Sequence, residues 1–364
     1  MWASFVFIEI LSKVFRYFAP MPKKTLLFIL LLATSFCFAQ IGGRYTYQFL
    51  NLVSSPRQAA LGGKVITNYD YDVTQPLFNP ATINSDMDGQ LALNYVSYLG
   101  GINYGSAAYA YEWDRRTGTF HAGVNYIDYG TFEGRDENGQ LTEDFTGNEV
   151  ALSFGYARNI PFTGFHVGAN VKLISSKLEQ YTSLGGAIDI GGYYRHERLG
   201  LDVALVVRNI GTQFTTYAGL REDLPFAVDF GISQEVPNVP VRWHITLENL
   251  HDWNLAFSNP NRNEFTLDGG VNEEEVGFFQ EVLRHTVIGA ELFPTKPFNI
   301  RLGYNFRRAE ELRIVDQRTF AGISAGFGLK MNRIRFNYTH VRYSLAGNTS
   351  LFGLMIDLSN RRGY

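Results

Sequence analysis

Gly322-Ile323-Ser324-Ala325-Gly326 fits the pattern G-x-S-x-G, in which a serine on a sharp strand-to-helix turn becomes the nucleophile of a hydrolase. Asp136, Asn138 and Gly139 match the first half of a calcium loop, whose remaining positions must supply another side-chain oxygen and a bidentate Glu. Seven histidines offer imidazoles for a metal, and Asp70 and Asp72 flank Tyr71 as a pair of carboxylates. Each candidate fails on its setting. Ala321, Ile323, Ala325, Phe327 and Leu329 alternate straight through the serine motif, so Ser324 belongs to a continuing strand. The calcium pattern lacks its later ligands, and Asn138-Gly139 reads as a tight-turn dipeptide. The histidines show no ligand spacing, and Asp70 and Asp72 read as turn and charge-pairing residues. No catalytic, cofactor or metal site is expected, and the chain is read as non-enzymatic.

The elements that would have to position any chemistry are strands. In residues 298–307, Phe298, Ile300, Leu302, Tyr304 and Phe306 share one face, and Asn299, Arg301, Gly303, Asn305 and Arg307 share the other. This alternation recurs about fourteen times between residues 90 and 358, while helical periodicity is nearly absent. Short connections (114–118, 159–163, 195–198, 236–240, 294–297, 331–332) alternate with long ones (129–147, 176–183, 210–224, 251–283, 308–318). Tight turns at one rim and long loops at the other are the pattern of outer-membrane barrels. The expected fold is an all-β, transmembrane antiparallel barrel of about 14 strands, with an N-terminal plug segment.

Energy assigns the faces: an arginine against lipid at the midplane costs about 2–4 kcal/mol, so Arg301 must point into the lumen. By the same alternation Lys172, Asp202, Asp229, Arg242, Glu248, Glu291, Arg335 and Asp357 face inward, a mixture of signs suited to cross-pairing rather than ion selection. Fourteen strands enclose more space than wall side chains fill, so a further segment should occupy the lumen.

Composition agrees with a membrane-facing surface. Aromatic residues make up 15% of the chain, and the formal net charge of -3 carries no footprint for nucleic acid. Lys23 and Lys24, the apolar run 25–33 and the small-residue site ending at Ala39 read as a secretory signal peptide spanning 1–39, with Met21 as the true start. The only cysteine, Cys37, falls inside it, and Phe36 before it disfavours a lipid-attachment site. The expected organisation is signal peptide 1–39, plug 40–89 in the lumen or at its periplasmic end, and outer-membrane barrel 90–364. An even strand count predicts both termini in the periplasm.

Within the plug stand Ser55-Pro56-Arg57-Gln58-Ala59-Ala60-Leu61-Gly62-Gly63 and Leu77-Phe78-Asn79-Pro80-Ala81. This resembles the FadL family of long-chain fatty-acid transporters, which carry a small-residue Gly-Gly element and Asn-Pro-Ala before a fourteen-stranded barrel. The opening QIGGRYTYQFLNLVSSPRQAALGG and the runs GNEVALSFGY and FHVGANVKLISSKLEQYTS are similar to PorQ-like barrels of the Bacteroidetes type IX secretion system. That resemblance implies a scaffold of the attachment complex. It would anchor a PorZ-like surface protein beside PorU- and PorV-like proteins, where cargo is processed and joined to lipopolysaccharide. The FadL resemblance alone implies instead a transporter of hydrophobic small molecules. Arg57, Gly62, Gly63, Asn79, Pro80 and Ala81 are the plug residues with an expected structural role. The polar loop 129–147, with Glu133, Arg135, Asp136, Glu137, Glu143 and Asp144, departs from the greasy capture loops of an importer. Loop 251–283 is the candidate docking surface through Trp253, Phe257, Phe278 and Phe279, and its last part has the spacing of a short amphipathic helix.

Overall fold

The computed structural model describes residues 45–359, apart from 115–117, 137, 256–263, 266–270, 273–276, 313–319 and 345–346. The expected signal peptide and Phe257 lie outside the described residues. Fourteen antiparallel strands close into a barrel in which each strand pairs with its neighbours in sequence and β1 pairs with β14. They are β1 (Gln90–Ser97), β2 (Asn103–Asp114), β3 (Gly118–Phe132), β4 (Phe145–Ile160), β5 (Phe165–Leu178), β6 (Tyr181–His196), β7 (Leu201–Thr215), β8 (Ala227–Glu235), β9 (Val241–Leu247), β10 (Thr286–Leu292), β11 (Phe298–Asn305), β12 (Ile323–Met331), β13 (Ile334–Ser344) and β14 (Gly347–Asp357). Closure satisfies every edge, as a wall in lipid requires.

The facing assignment holds in side-chain exposure. Leu302 is 51% exposed and Arg301 1%; Leu173, Ile190, Leu205 and Phe154 lie outward while Lys172, Asp189, Asp202 and Ser153 are buried. An apolar exterior around a polar interior inverts a soluble protein and makes lipid the outer solvent. Leu302→Arg is therefore expected to cost about 2–4 kcal/mol and to deplete the folded, heat-modifiable form on gels, whereas Leu302→Phe is tolerated. Equal yields of the two variants would refute the assignment.

Several boundaries differ from the sequence expectation. Strands β3 to β7 run past their apolar stretch, so loop 176–183 shrinks to a tight turn between Leu178 and Tyr181. The backbone ladder continues there in water, where alternation no longer marks it. Strand 298–307 stops at Asn305, and residues 306–311 form a short helix, α3 (Phe306–Glu311). The Asn305 side chain accepts a hydrogen bond from the Arg308 amide at 2.9 Å, an N-cap that ends the strand. Likewise the strand expected from Arg284 begins at Thr286, because α2 (Phe278–His285) occupies the preceding turn positions.

The pre-barrel segment enters from the long-loop rim. Tyr45 bridges Asp223 in the β7–β8 loop, and the Thr46 amide donates to the Asp223 carbonyl at 2.9 Å. The chain descends through a 3-10 turn (Gln48–Asn51), α1 (Pro56–Ala60) and three further 3-10 turns to Gly89, beside Leu358 at the short-turn rim. The even strand count does return β14 to the rim where β1 starts. The plug adds one more crossing, so Tyr45 stands at the opposite rim from the one expected for the start of the plug.

Candidate functional site

Two pairs of wall glycines receive the plug. Gly289 and Gly303 are cross-strand partners on β10 and β11, and a Cβ on either would overlap the Leu61–Gly62 backbone. Gly168 and Gly191 are partners on β5 and β6, and a Cβ there would overlap Pro80 or the Asn79 side chain. Thus the Gly-Gly and Asn-Pro-Ala elements each lie against wall with no side chain in the way. Gly62 itself has φ +103°, a backbone region that favours glycine. Asn79 caps the turn Pro80–Thr82 by accepting from the Ala81 amide at 3.0 Å, and donates to the Ile66 carbonyl at 2.8 Å. Pro80 occupies the first position of that turn, where no amide proton is needed.

Below these seats a charge network ties plug to wall. The Arg57 guanidinium donates to both Asp70 oxygens at 2.8 Å and to Glu291 on β10 at 2.8 Å, with Asp72 at 3.6 Å. Arg242 on β9 reaches Asp70 at 3.0 Å and pairs with Glu235, and Arg301 on β11 donates to Glu291 at 2.8 Å and to Asn337 at 2.8 Å. Burial alone would push the Asp70 carboxyl up, but Arg57 and Arg242 hold it well below the usual carboxylate range. Wall histidines add neutral contacts: His244 Nε2 lies 2.9 Å from the Leu61 carbonyl and His121 Nε2 2.9 Å from that of Val73. Arg335 lies over the Tyr71 ring at 3.3 Å from its centroid.

Above the plug, toward the long loops, the lumen opens into a vestibule of about 540 Å³. One side is apolar, with Phe49, Leu52, Val53, Ile102, Tyr104 and Ile127, and continues into a buried cluster that includes Val96, Ile174 and Leu351. The other side carries Lys64, Glu248, Asn305, Arg307 and Arg308. Arg308 donates to the Gly62 carbonyl at 3.2 Å, which joins α3 to the vestibule floor. Burial, reinforced by the charge of Arg208 and opposed by Glu248 and Asp229, lowers the Lys64 ammonium to about 8.

Arg57, Gly62, Gly63, Asn79, Pro80 and Ala81 all lie buried in the plug. The structure also brings Trp253 and Phe278 together at the long-loop rim, rings stacked at 5.6 Å, with Phe279 edge-on to Phe278 at 6.0 Å. Of the rejected motifs, Ser324 sits within β12 and donates to the Ala60 carbonyl at 3.2 Å, another plug contact. Asp136 Oδ1 accepts from the amides of Asn138 and Gln140, a turn with Gly139 at φ +78°. Asp70 and Asp72 pair with Arg57, as a bland charge role requires. Sequence reading missed Lys64, the histidine contacts and the four glycine seats. The signal available was that His121, His244, Gly168 and Gly303 occupy inward positions of the alternation. The inward charges expected from the sequence share the lumen with an apolar cluster, in which Phe49 and Leu50 of the plug lie with Val96, Ile174 and Leu351 of the wall.

No protein-family model matches the chain, and no curated protein is similar in sequence. Among solved structures, the chain is similar to the TodX monoaromatic hydrocarbon channel (ΔS2 mutant). The TM-score is 0.50 at 13% identity, covering 85% of this chain and 98% of that one. Weaker likenesses are to CdiB from Acinetobacter baumannii (TM-score 0.33, 10% identity, 73% and 59% covered) and the KdgM porin (TM-score 0.30, 7% identity, 74% and 99% covered). At such identity TodX speaks for the fold alone: a closed outer-membrane β-barrel.

Proposed function

We propose that the protein is an outer-membrane channel for small hydrophobic or amphipathic molecules, which enter the vestibule from the long-loop side and pass when the plug yields. The vestibule carries this reading, since an apolar wall facing lysine and arginine suits a molecule with an apolar body and an anionic end. The fold likeness to TodX, a monoaromatic hydrocarbon channel, supports the same class. The test uses 1-anilinonaphthalene-8-sulfonate, an aromatic anion, titrated against the protein in lipid nanodiscs. Ile127→Asp, which places a carboxylate on the apolar wall, should weaken binding by about tenfold or more, the scale of one lost apolar contact plus a buried charge. Absence of saturable binding to the unmodified protein would reject the proposal.

The ammonium of Lys64 adds a pH dependence. Lys64 is cationic below about 8 and neutral above it, so anionic-probe affinity should fall as pH rises through about 8. The guanidinium groups of Arg307 and Arg308 set the residual binding. Lys64→Met should flatten the profile; an unaltered profile in that variant would remove Lys64 from the site.

A second reading keeps the chain as a scaffold barrel of the type IX attachment complex, with a PorZ-like partner and PorU- and PorV-like neighbours. The plug favours it, since ion pairs and glycine seats suit a barrel that stays shut. A clean deletion strain with normally processed and surface-attached cargo would exclude this role.

A further inference from the structure

We propose that helix α2 lies in the membrane, completing the lipid-facing belt above a short stretch of barrel wall through contact with acyl chains of the leaflet at the long-loop rim. The wall is uneven. β4 and β6 have 16 residues each, whereas β9 and β10 have 7 and β11 has 8. At about 3.4 Å per residue and a tilt of about 40°, 7 residues rise about 18 Å, short of the apolar band of about 25 Å that such barrels present. The longest strands exceed that band; β1, also of 8 residues, stands alone between the longer β14 and β2, whereas β9, β10 and β11 are three short strands side by side.

α2 sits where the deficit is, because His285 leads directly into Thr286 of β10. Its sequence FFQEVLRH divides into two arcs at 100° per residue: Phe278, Val282, Phe279 and Leu283 on one, Gln280, Arg284, Glu281 and His285 on the other. Burial runs opposite to that of a soluble amphipathic helix. Phe278 is 66% exposed, Phe279 81% and Leu283 44%, while on the polar arc Glu281 and His285 are buried, Arg284 is half-buried and Gln280, at its edge, is exposed. The His285 ring nitrogens lie 2.6 Å from the Glu248 carbonyl and 3.2 Å from that of Trp253, which holds the polar arc against the loop. Apolar-out and polar-in is the order of the barrel strands below, where Ile288 and Leu302 are exposed and Glu291 and Arg301 buried. The helix extends that order upward, and lipid is the solvent that stabilises it. A protein docked on the same aromatics is the competing occupant.

Site-directed spin labelling in bilayers of pure lipid separates the two. In a Cys37→Ser background, single variants Phe279→Cys, Leu283→Cys and Gln280→Cys are labelled, with Leu302→Cys as the lipid reference and Asn238→Cys, in a short turn, as the aqueous one. Collision with oxygen, which concentrates in acyl chains, is compared with collision with a water-soluble nickel chelate. The expected result is an oxygen-to-nickel ratio at 279 and 283 matching that at 302 and several-fold above those at 280 and 238. Nickel access at 279 and 283 equal to that at 238 would overturn the proposal. If those sites became shielded only in native outer membrane, that would assign the face to a protein partner. The test does not depend on the channel proposal, since lipid contact is read without any transported molecule.

Discussion

Arg57→Ala is expected to unseat the plug while leaving the barrel closed. Its guanidinium joins Asp70 of the plug to Glu291 of the wall at 2.8 Å each, closer than Arg242, which reaches the same two carboxylates at 3.0 and 3.8 Å. Removing it leaves two buried carboxylates short of a partner, and breaking such a network costs about 3–5 kcal/mol. The strand ladder does not pass through Arg57, so the barrel should remain heat-modifiable on gels. The plug should become sensitive to protease, and planar bilayers should show ion-conductance steps absent from the unmodified protein. Arg57→Lys should fall between the two, since an ammonium cannot offer the planar fork that Asp70 accepts at two atoms. Unchanged protease resistance in Arg57→Ala would show that the network does not hold the plug. Acid should act through the same pair. Because Asp70 titrates lower in the folded state, its contribution is complete above the unfolded carboxylate value of about 3.9 and declines as pH falls below it. The Asp70 share of plug retention should therefore be flat from neutral pH to about 4 and be lost only below.

Gly303→Val should have an effect of similar size by a different route. The new side chain would point into the Leu61–Gly62 backbone, and neither it nor the β11 ladder has a flexible end to move aside. Overpacking of that kind costs about 3 kcal/mol, the upper end of its range. The plug rather than the barrel should give way, because displacing it loses contacts in the lumen while a broken strand would leave unpaired backbone in lipid. Gly168→Val makes an independent copy of the test under Pro80. Both variants should raise conductance without lowering the amount of folded barrel. Wild-type conductance in both would mean that the seats are not close-packed.

The walls were legible from residues alone because lipid enforces a rule with period two. Wherever a strand met lipid, as in β11, alternation exposed it and placed Arg301 inward. Where strands left the membrane, as at both ends of β4, the rule lapsed and the boundaries were misjudged. The plug's occupancy of the lumen followed from the width of fourteen strands, and Arg57 and the Asn-Pro-Ala turn were visible as oddities with no strand pattern. Their partners were not visible. Arg57 and Glu291 stand 234 residues apart, and only barrel closure brings them to 2.8 Å.

Sequence by itself determined that this chain is a membrane barrel with a filled lumen, because the cost of charge in lipid acts on every residue of a strand locally. Tertiary structure alone decided which glycines seat the plug, that the chain enters the lumen from the long-loop rim, and that a vestibule remains above it. These depend on which segments meet across the lumen, and no local periodicity records a contact between surfaces hundreds of residues apart. The same holds for α2: its amphipathic spacing was readable, but which arc faces outward was set by contacts such as those of the His285 ring with the Glu248 and Trp253 carbonyls.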